Sequence, residues 1–305
     1  MLNSVTDALR AELTSKLPSA AFRELTDAYL REPRGRYQGS GGLLVAPDCT
    51  EDVATVVRAC AEARVGIVPY GGGTGLVGGQ IAESGPVPVI LSLERMTKIR
   101  ATYPAENVLM AEAGVILSNV QDAAEAEGRV FPLSLASEGS ARIGGNLSTN
   151  AGGSNVVRYG NARDLCLGLE VVMPTGEVMD IMSELHKDNS GYNLKHLLIG
   201  AEGTLGIITA AVLKLFPKPR AYATAMVAAP TLGDALTLLN RVQGATGGAV
   251  EAFEYMPRNY VEAHCAKFPN ARAPFDDSYD VNILIEVGAT SDRDCLVGDD
   301  GRTPI

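Results

Sequence analysis

Residues 69–79 read Pro-Tyr-Gly-Gly-Gly-Thr-Gly-Leu-Val-Gly-Gly, a stretch whose backbone is largely unshielded by side chains. Successive free N–H groups in such a loop form a nest that holds a diphosphate, with the Thr74 hydroxyl as a further donor and no lysine required. Gly73, Gly75 and Gly78 also spell G-x-G-x-x-G, the dinucleotide fingerprint. That fingerprint needs a helix directly after the loop, whose N-terminus receives the pyrophosphate. Here Gly79 is followed by Gln-Ile-Ala-Glu-Ser-Gly-Pro, too short and too broken for that helix. A nicotinamide site is therefore rejected, even though Glu94 stands at the end of the next strand where a ribose-binding acid would be.

A second segment, residues 138–153, alternates glycine pairs with small uncharged side chains, among them Ser140, Asn146, Thr149 and Asn150. Such a lining suits a planar, heteroatom-rich cofactor ring gripped at its edges and open on one face. A third, Gly200-Ala-Glu-Gly-Thr-Leu-Gly206, runs straight into an apolar stretch. Its Glu202 can accept from a ligand; taken alone, a solvated loop carboxylate is the plainer reading. Glycine fills 33 of the 305 positions, seven of them in 66–79 and five in 139–153. Each costs about 0.5–1 kcal/mol against alanine in regular structure. Flanked by apolar runs, these clusters predict backbone that approaches a ligand closely rather than a linker.

Other chemistry is scarce. Cys49, Cys60, Cys166, Cys265 and Cys295 are odd in number and form no C-x-x-C, so buried, inert thiols are expected rather than disulfides or a zinc knuckle. His186, His196 and His264 are not closely paired, and no metal site is expected. A net charge of −10, from 26 Lys and Arg against 36 Asp and Glu, is the wrong field for nucleic acid. Apolar runs fall short of the ~18 residues of a membrane span. Asp7, Arg10, Glu12 and Lys16 interrupt the N-terminus, which reads as neither signal nor transit peptide, and a cytoplasmic address is expected.

The elements that must position the glycine segments follow an α/β pattern. Helices are predicted at 2–17, 50–64 (stopped by Gly66) and 116–127, and strands at 43–46, 67–69, 87–93, 108–112, 129–133 and 205–216, with a hairpin at Thr175-Gly176. Pro217 and Pro219 mark a boundary. Beyond it, strands at 222–228, 249–256 and 280–288 alternate with helices at 232–243 and 258–266. Residues 289–305 offer no packing face, so a truncated chain is expected.

Together the three segments resemble the flavin-binding domain of the vanillyl-alcohol oxidase type, also called PCMH-type. Within it they are most similar to the D-2-hydroxy-acid dehydrogenases, a group of D-2-hydroxyglutarate dehydrogenases, D-lactate dehydrogenases and glycolate oxidase subunits. The likeness runs from about Tyr37 to Pro219 and takes in Phe131-Pro-Leu-Ser, Arg158-Tyr-Gly, Leu167-Gly-Leu-Glu-Val and Lys187-Asp-Asn-Ser-Gly-Tyr besides the glycine segments. It implies an α+β chain: an N-terminal helical segment at 1–36, a two-subdomain PCMH-type FAD-binding fold at 37–219, and a partial α+β substrate (cap) domain at 220–305. It implies FAD with its pyrophosphate on Gly71, Gly72, Gly73, Thr74, Gly75 and Gly78. The ring would lie against Ser140, Gly144, Gly145, Asn146, Thr149, Asn150 and Ala151, with Glu202, Gly206 and Ile207 closing around it. Some relatives bond flavin to a histidine of the first loop; this loop has none, so FAD is expected to bind noncovalently.

In this family a D-2-hydroxy acid passes a hydride from its α-carbon to flavin N5. A histidine takes the hydroxyl proton, and Arg or Lys groups hold the carboxylate. Those groups and a His/Glu metal cluster belong to a C-terminal part, marked by a G-x-G-D-G-N-x-H-like segment not found here. Val297-Gly-Asp-Asp-Gly is a superficial echo of it. The resemblance thus implies an FAD-dependent oxidoreductase acting on a small D-2-hydroxyglutarate-like acid, or a truncated form of one. The alternatives are a glycolate or D-lactate dehydrogenase, and a noncatalytic FAD-binding subunit completed by a partner chain. A divalent metal is implied only with the missing segment, the electron acceptor is unidentified, and no catalytic residue is assigned. An exposed sheet edge is expected to favour a homo-oligomer. Arg158 and Tyr159 read equally well as turn stabilisers and as cofactor contacts, and Lys187, Asp188 and Tyr192 as residues ordering a helix start.

Overall fold

Leu9 and Leu13, one helical turn apart, are the buried residues of α1 (Asp7–Lys16). Thr6 caps this helix by accepting from the Leu9 N–H, so it starts later than residue 2. Ahead of it the chain is extended: Asn3 bridges Val65, and the Val5 N–H donates to the Val87 carbonyl. The computed structural model describes residues 1–295, in two units. Val297-Gly-Asp-Asp-Gly lies outside the described residues.

The first unit comprises residues 1–151 and 161–216. One of its sheets joins β1 (Phe22–Arg23), β2 (Leu43–Val45), β3 (Ile67–Tyr70) and β4 (Val89–Ser92) in the order β1-β2-β4-β3. β2 and β3 both run parallel to β4. The continuous apolar runs of β2 and β4 are what parallel strands covered on both faces require. α2 (Thr50–Ala63) makes the crossover from β2 to β3 and buries Val53, Val56, Val57 and Cys60. It ends on Arg64, not on Gly66: Arg64 takes the left-handed conformation (φ 54°), and its N–H caps the Cys60 and Ala61 carbonyls.

The other sheet is antiparallel, with β5 (Ile99–Tyr103), β6 (Val108–Glu112), β7 (Cys166–Val172), β8 (Val178–Ile181) and β9 (Ile207–Lys214) in the order β5-β6-β9-β7-β8. β5 escapes the sequence reading because its half-buried residues alternate weakly. β9 is central, with Ala211 opposite Ala111 on one side and Leu169 on the other. The β6–β9 register continues past Ala210 and Glu112, and the Thr209 carbonyl accepts from the Ala113 N–H at 2.8 Å. The end of β6 is thereby brought beside the start of β9, where the third glycine segment enters the sheet. On β7, Glu170 accepts from Thr50 Oγ1 at 2.6 Å, Thr209 Oγ1 at 2.8 Å and both Arg100 Nη atoms at 3.1 and 3.2 Å. Burial pushes this carboxyl up, but the donors outweigh it and hold its pKa below the ordinary value.

Two helices complete this unit's framework. α3 (Leu117–Ala126) buries Leu117, Val120 and Ala124. The second glycine segment, expected as a loop, contains α4 (Ile143–Ser148). Gly144 and Gly145 therefore sit inside a helix, where each costs about 1 kcal/mol of propensity. What they supply in return is close approach: a Cβ on Gly144 would lie 2.7 Å from Ala113 Cβ.

The second unit comprises residues 152–160 and the described chain from Pro217 on. β10 (Ala221–Ala229), β11 (Val250–Pro257) and β12 (Val281–Ala289) form an antiparallel sheet with β12 in the centre. α5 (Leu232–Ala245) starts at Thr231, which accepts from the Asp234 N–H and donates to its carboxylate. Leu239 and Val242 of α5 pack on Val250, Ile285 and Val287. α6 (Arg258–Lys267) comes directly after β11.

Candidate functional site

The crevice that gathers the glycine segments lies wholly in the first unit and measures about 240 Å³. Gly71 and Gly79 line it from the first segment, Gly144, Gly145 and Thr149 from the second, and Glu202, Gly206 and Ile207 from the third. Glycine backbone from all three segments forms part of its walls, alongside side chains such as Tyr70, Leu93 and Ile208. Both ends are tightly packed: a Cβ on Gly71 meets Gly145 Cα at 3.3 Å, and one on Gly206 meets Val171 Cγ1 at 2.7 Å.

The first segment leaves β3 without forming a helix, as the rejection of the nicotinamide reading required. Among the described residues, none of the backbone N–H groups of residues 72–79 donates a hydrogen bond within the protein. Gly72 packs flat on the Ser140 carbonyl, where a Cβ would collide. Gly73 (φ 66°) and Gly78 (φ 79°) take left-handed turns against the rings of Tyr70 and Tyr37. Thr74 is half-buried, whereas Gly75 is exposed, its carbonyl accepting from Gln80 Nε2 at 2.9 Å. None of Gly73, Thr74, Gly75, Gly78 and Ser140 lines the crevice itself. Glu94 is occupied, accepting from the Tyr29 hydroxyl at 2.8 Å. Burial, with this bond and the charge behind it, pushes the Tyr29 phenol up to about 12.

In the second segment Thr149 Oγ1 donates to the Gly145 carbonyl at 2.9 Å, and the Ala151 N–H to the Asn146 carbonyl at 2.8 Å. Asn150 stands in the left-handed region (φ 48°), and its Oδ1 accepts from the Arg163 N–H at 3.0 Å. Asn146 is buried with its Oδ1 unpartnered, one of two such side-chain atoms among the described residues, Arg163 Nε being the other. Asn146, Asn150 and Ala151 stand beside the crevice lining in sequence but are not part of it. In the third segment Glu202 is left-handed (φ 52°), its N–H bonded to the Ser148 carbonyl at 2.9 Å. A Cβ on Gly79 would lie 2.7 Å from Glu202 Oε2, so the carboxylate reaches across to the first segment.

Lining residues that the sequence reading did not single out include Tyr70, Gly79, Gln80, Ser148 and Ala113. All but Ala113 lie in or beside the glycine segments; Ala113 enters only through the β6–β9 pairing and left no local signal. Arg158 and Tyr159 prove to bond Glu251 of their own unit. Asp188 caps a turn at Ser190, and the nearest helix is the turn Lys195–Leu198. Only Cys60 and Cys166 are buried; Cys49, Cys265 and Cys295 are partly exposed, which corrects the expectation of five inert thiols. His186 and His196 line a separate cavity of about 690 Å³, and none of the three histidines reaches the crevice. Asp48, Cys49 and Asp52 come within 4.8 Å of one another at the start of α2, but Asp48 is already paired with Arg95 at 2.7 Å.

Residues 42–182 match the FAD binding domain family. Over this stretch the chain is similar to FAD binding domains. The groups beside the crevice fit FAD on two observations: the unengaged N–H groups of residues 72–79 suit a diphosphate, and the orphaned Asn146 oxygen a hydrogen-bonding ring. Mitochondrial D-2-hydroxyglutarate dehydrogenase of Arabidopsis thaliana is 38% identical over 266 residues, 86% of this chain and 47% of that protein. The Bos taurus protein of the same name is 40% identical over 232 residues, 75% of this chain and 41% of that one. This chain thus spans about half the length of these relatives. The chain shares the fold of alkyldihydroxyacetonephosphate synthase, with a TM-score of 0.77 at 21% identity over 95% of this chain and 58% of that one. The expected cytoplasmic address is corrected by these relatives, which are mitochondrial by name. The composition of residues 1–16 carries no address by itself, since a chain that spans part of its relatives need not begin where they do. Among the described residues, no helix is long and apolar enough to cross a membrane.

Proposed function

We propose that this chain holds FAD noncovalently and provides the flavin half of a D-2-hydroxy-acid dehydrogenase, which oxidises a D-2-hydroxyglutarate-like acid to the 2-oxo acid. The supporting observation is the run of N–H groups at residues 72–79 that no protein acceptor engages, set beside a crevice to which all three glycine segments contribute. In this reading Gly71, Gly72, Gly73, Thr74, Gly75 and Gly78 take the diphosphate. Ser140, Gly144, Gly145, Asn146, Thr149, Asn150 and Ala151 take the ring, and Glu202, Gly206 and Ile207 close around it. Residues 37–219 form the cofactor domain, residues 1–36 lead into it, and residues 220–305 belong to the cap. Bound flavin supplies a two-electron acceptor for the hydride from the substrate α-carbon. The chain's own residues orient it: uncharged donors and acceptors grip its edges, and the glycine walls admit it without strain. The absence of histidine from residues 69–79 supports a noncovalent cofactor. The names of the relatives support the substrate class, and no base for the hydroxyl proton is assigned among the described residues.

The test is a spectrum of the purified chain before and after acid precipitation, followed by anaerobic addition of D-2-hydroxyglutarate, D-lactate and glycolate. A flavin spectrum that leaves with the supernatant is expected, and bleaching by one acid names the substrate. A colourless chain that FAD does not reconstitute refutes the site, and flavin retained on the precipitate refutes the noncovalent mode.

A further inference from the structure

After Ala151 the chain leaves the first unit, spends Gly152–Gly160 in the second, and returns at Asn161. The excursion is clamped at its base, where the Ala162 N–H donates to the Ala151 carbonyl at 2.9 Å and the Arg163 N–H to Asn150 Oδ1 at 3.0 Å. At its far end Arg158 and Tyr159 converge on one oxygen. Glu251 Oε1 accepts from Arg158 Nη1 at 2.7 Å and from the Tyr159 hydroxyl at 2.8 Å. Arg158 Nη1 also donates to the Gly288 carbonyl at 2.8 Å, and the guanidinium stands 5.1 Å from the Tyr159 ring centre.

Glu251 owes its direction to a bulge. In β11 Val250 faces Val287 and Ala252 faces Glu286, so Glu251 is the extra residue with no partner in register. Bulges re-aim side chains, and this one is turned into an environment that leaves the residue 3% exposed. Gly288 makes the space, since a Cβ there would strike the Glu251 carboxylate. An ion pair buried this deeply is a costly way to hold a turn, because both charges lose their water. What it provides is a fixed position for Arg158 and Tyr159 within the second unit. The clamped base borders Asn150, whose left-handed backbone persists only where the surroundings impose it.

We propose that Glu251 is a positioning residue for residues 146–151: by holding Arg158 and Tyr159 it fixes the excursion, and the clamped base passes that constraint to Asn150 and Ala151. The inference rests on the reading that these residues hold FAD. It is tested on the whole chain by hydrogen exchange and by titration of the apoprotein with FAD, in the parent, Glu251→Ala, Tyr159→Phe and Ile283→Ala. Ile283 is buried in the second unit's core and takes no part in the cluster, so it reports general destabilisation of that unit.

Glu251→Ala is expected to speed exchange of the amides of residues 146–153 and to weaken FAD binding by about tenfold or more. Tyr159→Phe should move both in the same direction by less, and Ile283→Ala should leave both at the parent level. Unchanged exchange and affinity in Glu251→Ala, or equal effects in Ile283→Ala, overturn the proposal. If Glu251→Ala does not fold, parent-like behaviour of Tyr159→Phe overturns it instead. A parent chain that fails to bind FAD refutes the proposed function, while the exchange measurement still decides whether Glu251 orders residues 146–153.

Discussion

Gly71 and Gly145 meet backbone to backbone: a Cβ on Gly71 would stand 3.3 Å from Gly145 Cα, whereas one on Gly145 would stand 3.9 Å from Gly71 Cα. The contact joins the residue after β3 to α4, and both glycines line the crevice. Its asymmetry gives a paired prediction. Gly71→Val must push α4 away and should lower both stability and FAD affinity. Gly145→Ala meets only ordinary contact and gains up to about 1 kcal/mol of helix propensity. Its apo melting temperature should match or exceed the parent's while its methyl, facing the crevice, still weakens FAD. Equal destabilisation of both apoproteins would contradict the assigned contact.

Gly75→Asp separates fold from cofactor. A Cβ at Gly75 meets only the Gln80 amide, at 2.9 Å, and that flexible end can move aside. The new carboxylate would sit among the N–H groups of the first segment and repel a diphosphate. Losing one charge-assisted contact costs about 1.5–3 kcal/mol, so affinity should fall by about tenfold or more with the far-ultraviolet circular dichroism unchanged. Parent-like affinity would place the diphosphate elsewhere.

Glu202 carries a left-handed backbone (φ 52°) that glycine adopts without strain. Glu202→Gly should leave the apoprotein about as stable as the parent, relief of roughly 1–2 kcal/mol of backbone strain offsetting glycine's entropy. FAD titration should nonetheless show weaker binding, because the carboxylate that reaches toward Gly79 is gone. A variant that binds FAD like the parent would make Glu202 a turn residue only.

Stability of the first unit should fall in acid through Glu170. Its folded pKa lies below the ordinary carboxylate value, despite burial, because Arg100, Thr50 and Thr209 donate to it. The contribution is present above the unfolded pKa of about 4.3 and is lost as pH falls through the folded value. Glu170→Gln should cost about 1.5–3 kcal/mol near neutrality and flatten the loss of urea resistance below about pH 4.3. Parallel curves for parent and variant would assign the acid sensitivity to other groups.

Thiol reactivity should divide by burial. Burial pushes the thiols of Cys60 and Cys166 up to about 12, leaving no thiolate near neutrality. Alkylation of the native chain followed by peptide mass spectrometry should label Cys49, Cys265 and Cys295 and spare these two until the chain is unfolded. Native labelling of Cys166 would mean that β7 opens locally.

The local features of the site were legible in residue order. Clustered glycines cost too much to be incidental, the residues after Gly79 exclude a helix, and the apolar runs at 43–46 and 87–93 announce strands. These depend on backbone freedom and side-chain burial over a few residues, which composition and period record directly. The tertiary structure decided what depends on residues far apart. Gly144 and Gly145 lie in a helix, against local propensity, because packing on Ala113 and Gly71 rewards close approach. Ala113 enters the crevice through the β6–β9 pairing, and Glu94 accepts from the Tyr29 hydroxyl, 65 residues away. Arg158 and Tyr159 were evenly balanced between two roles until their partner Glu251 appeared 93 and 92 residues on. Charges and hydrogen-bonding groups choose partners by distance in space, and a chain read in order carries no record of that distance.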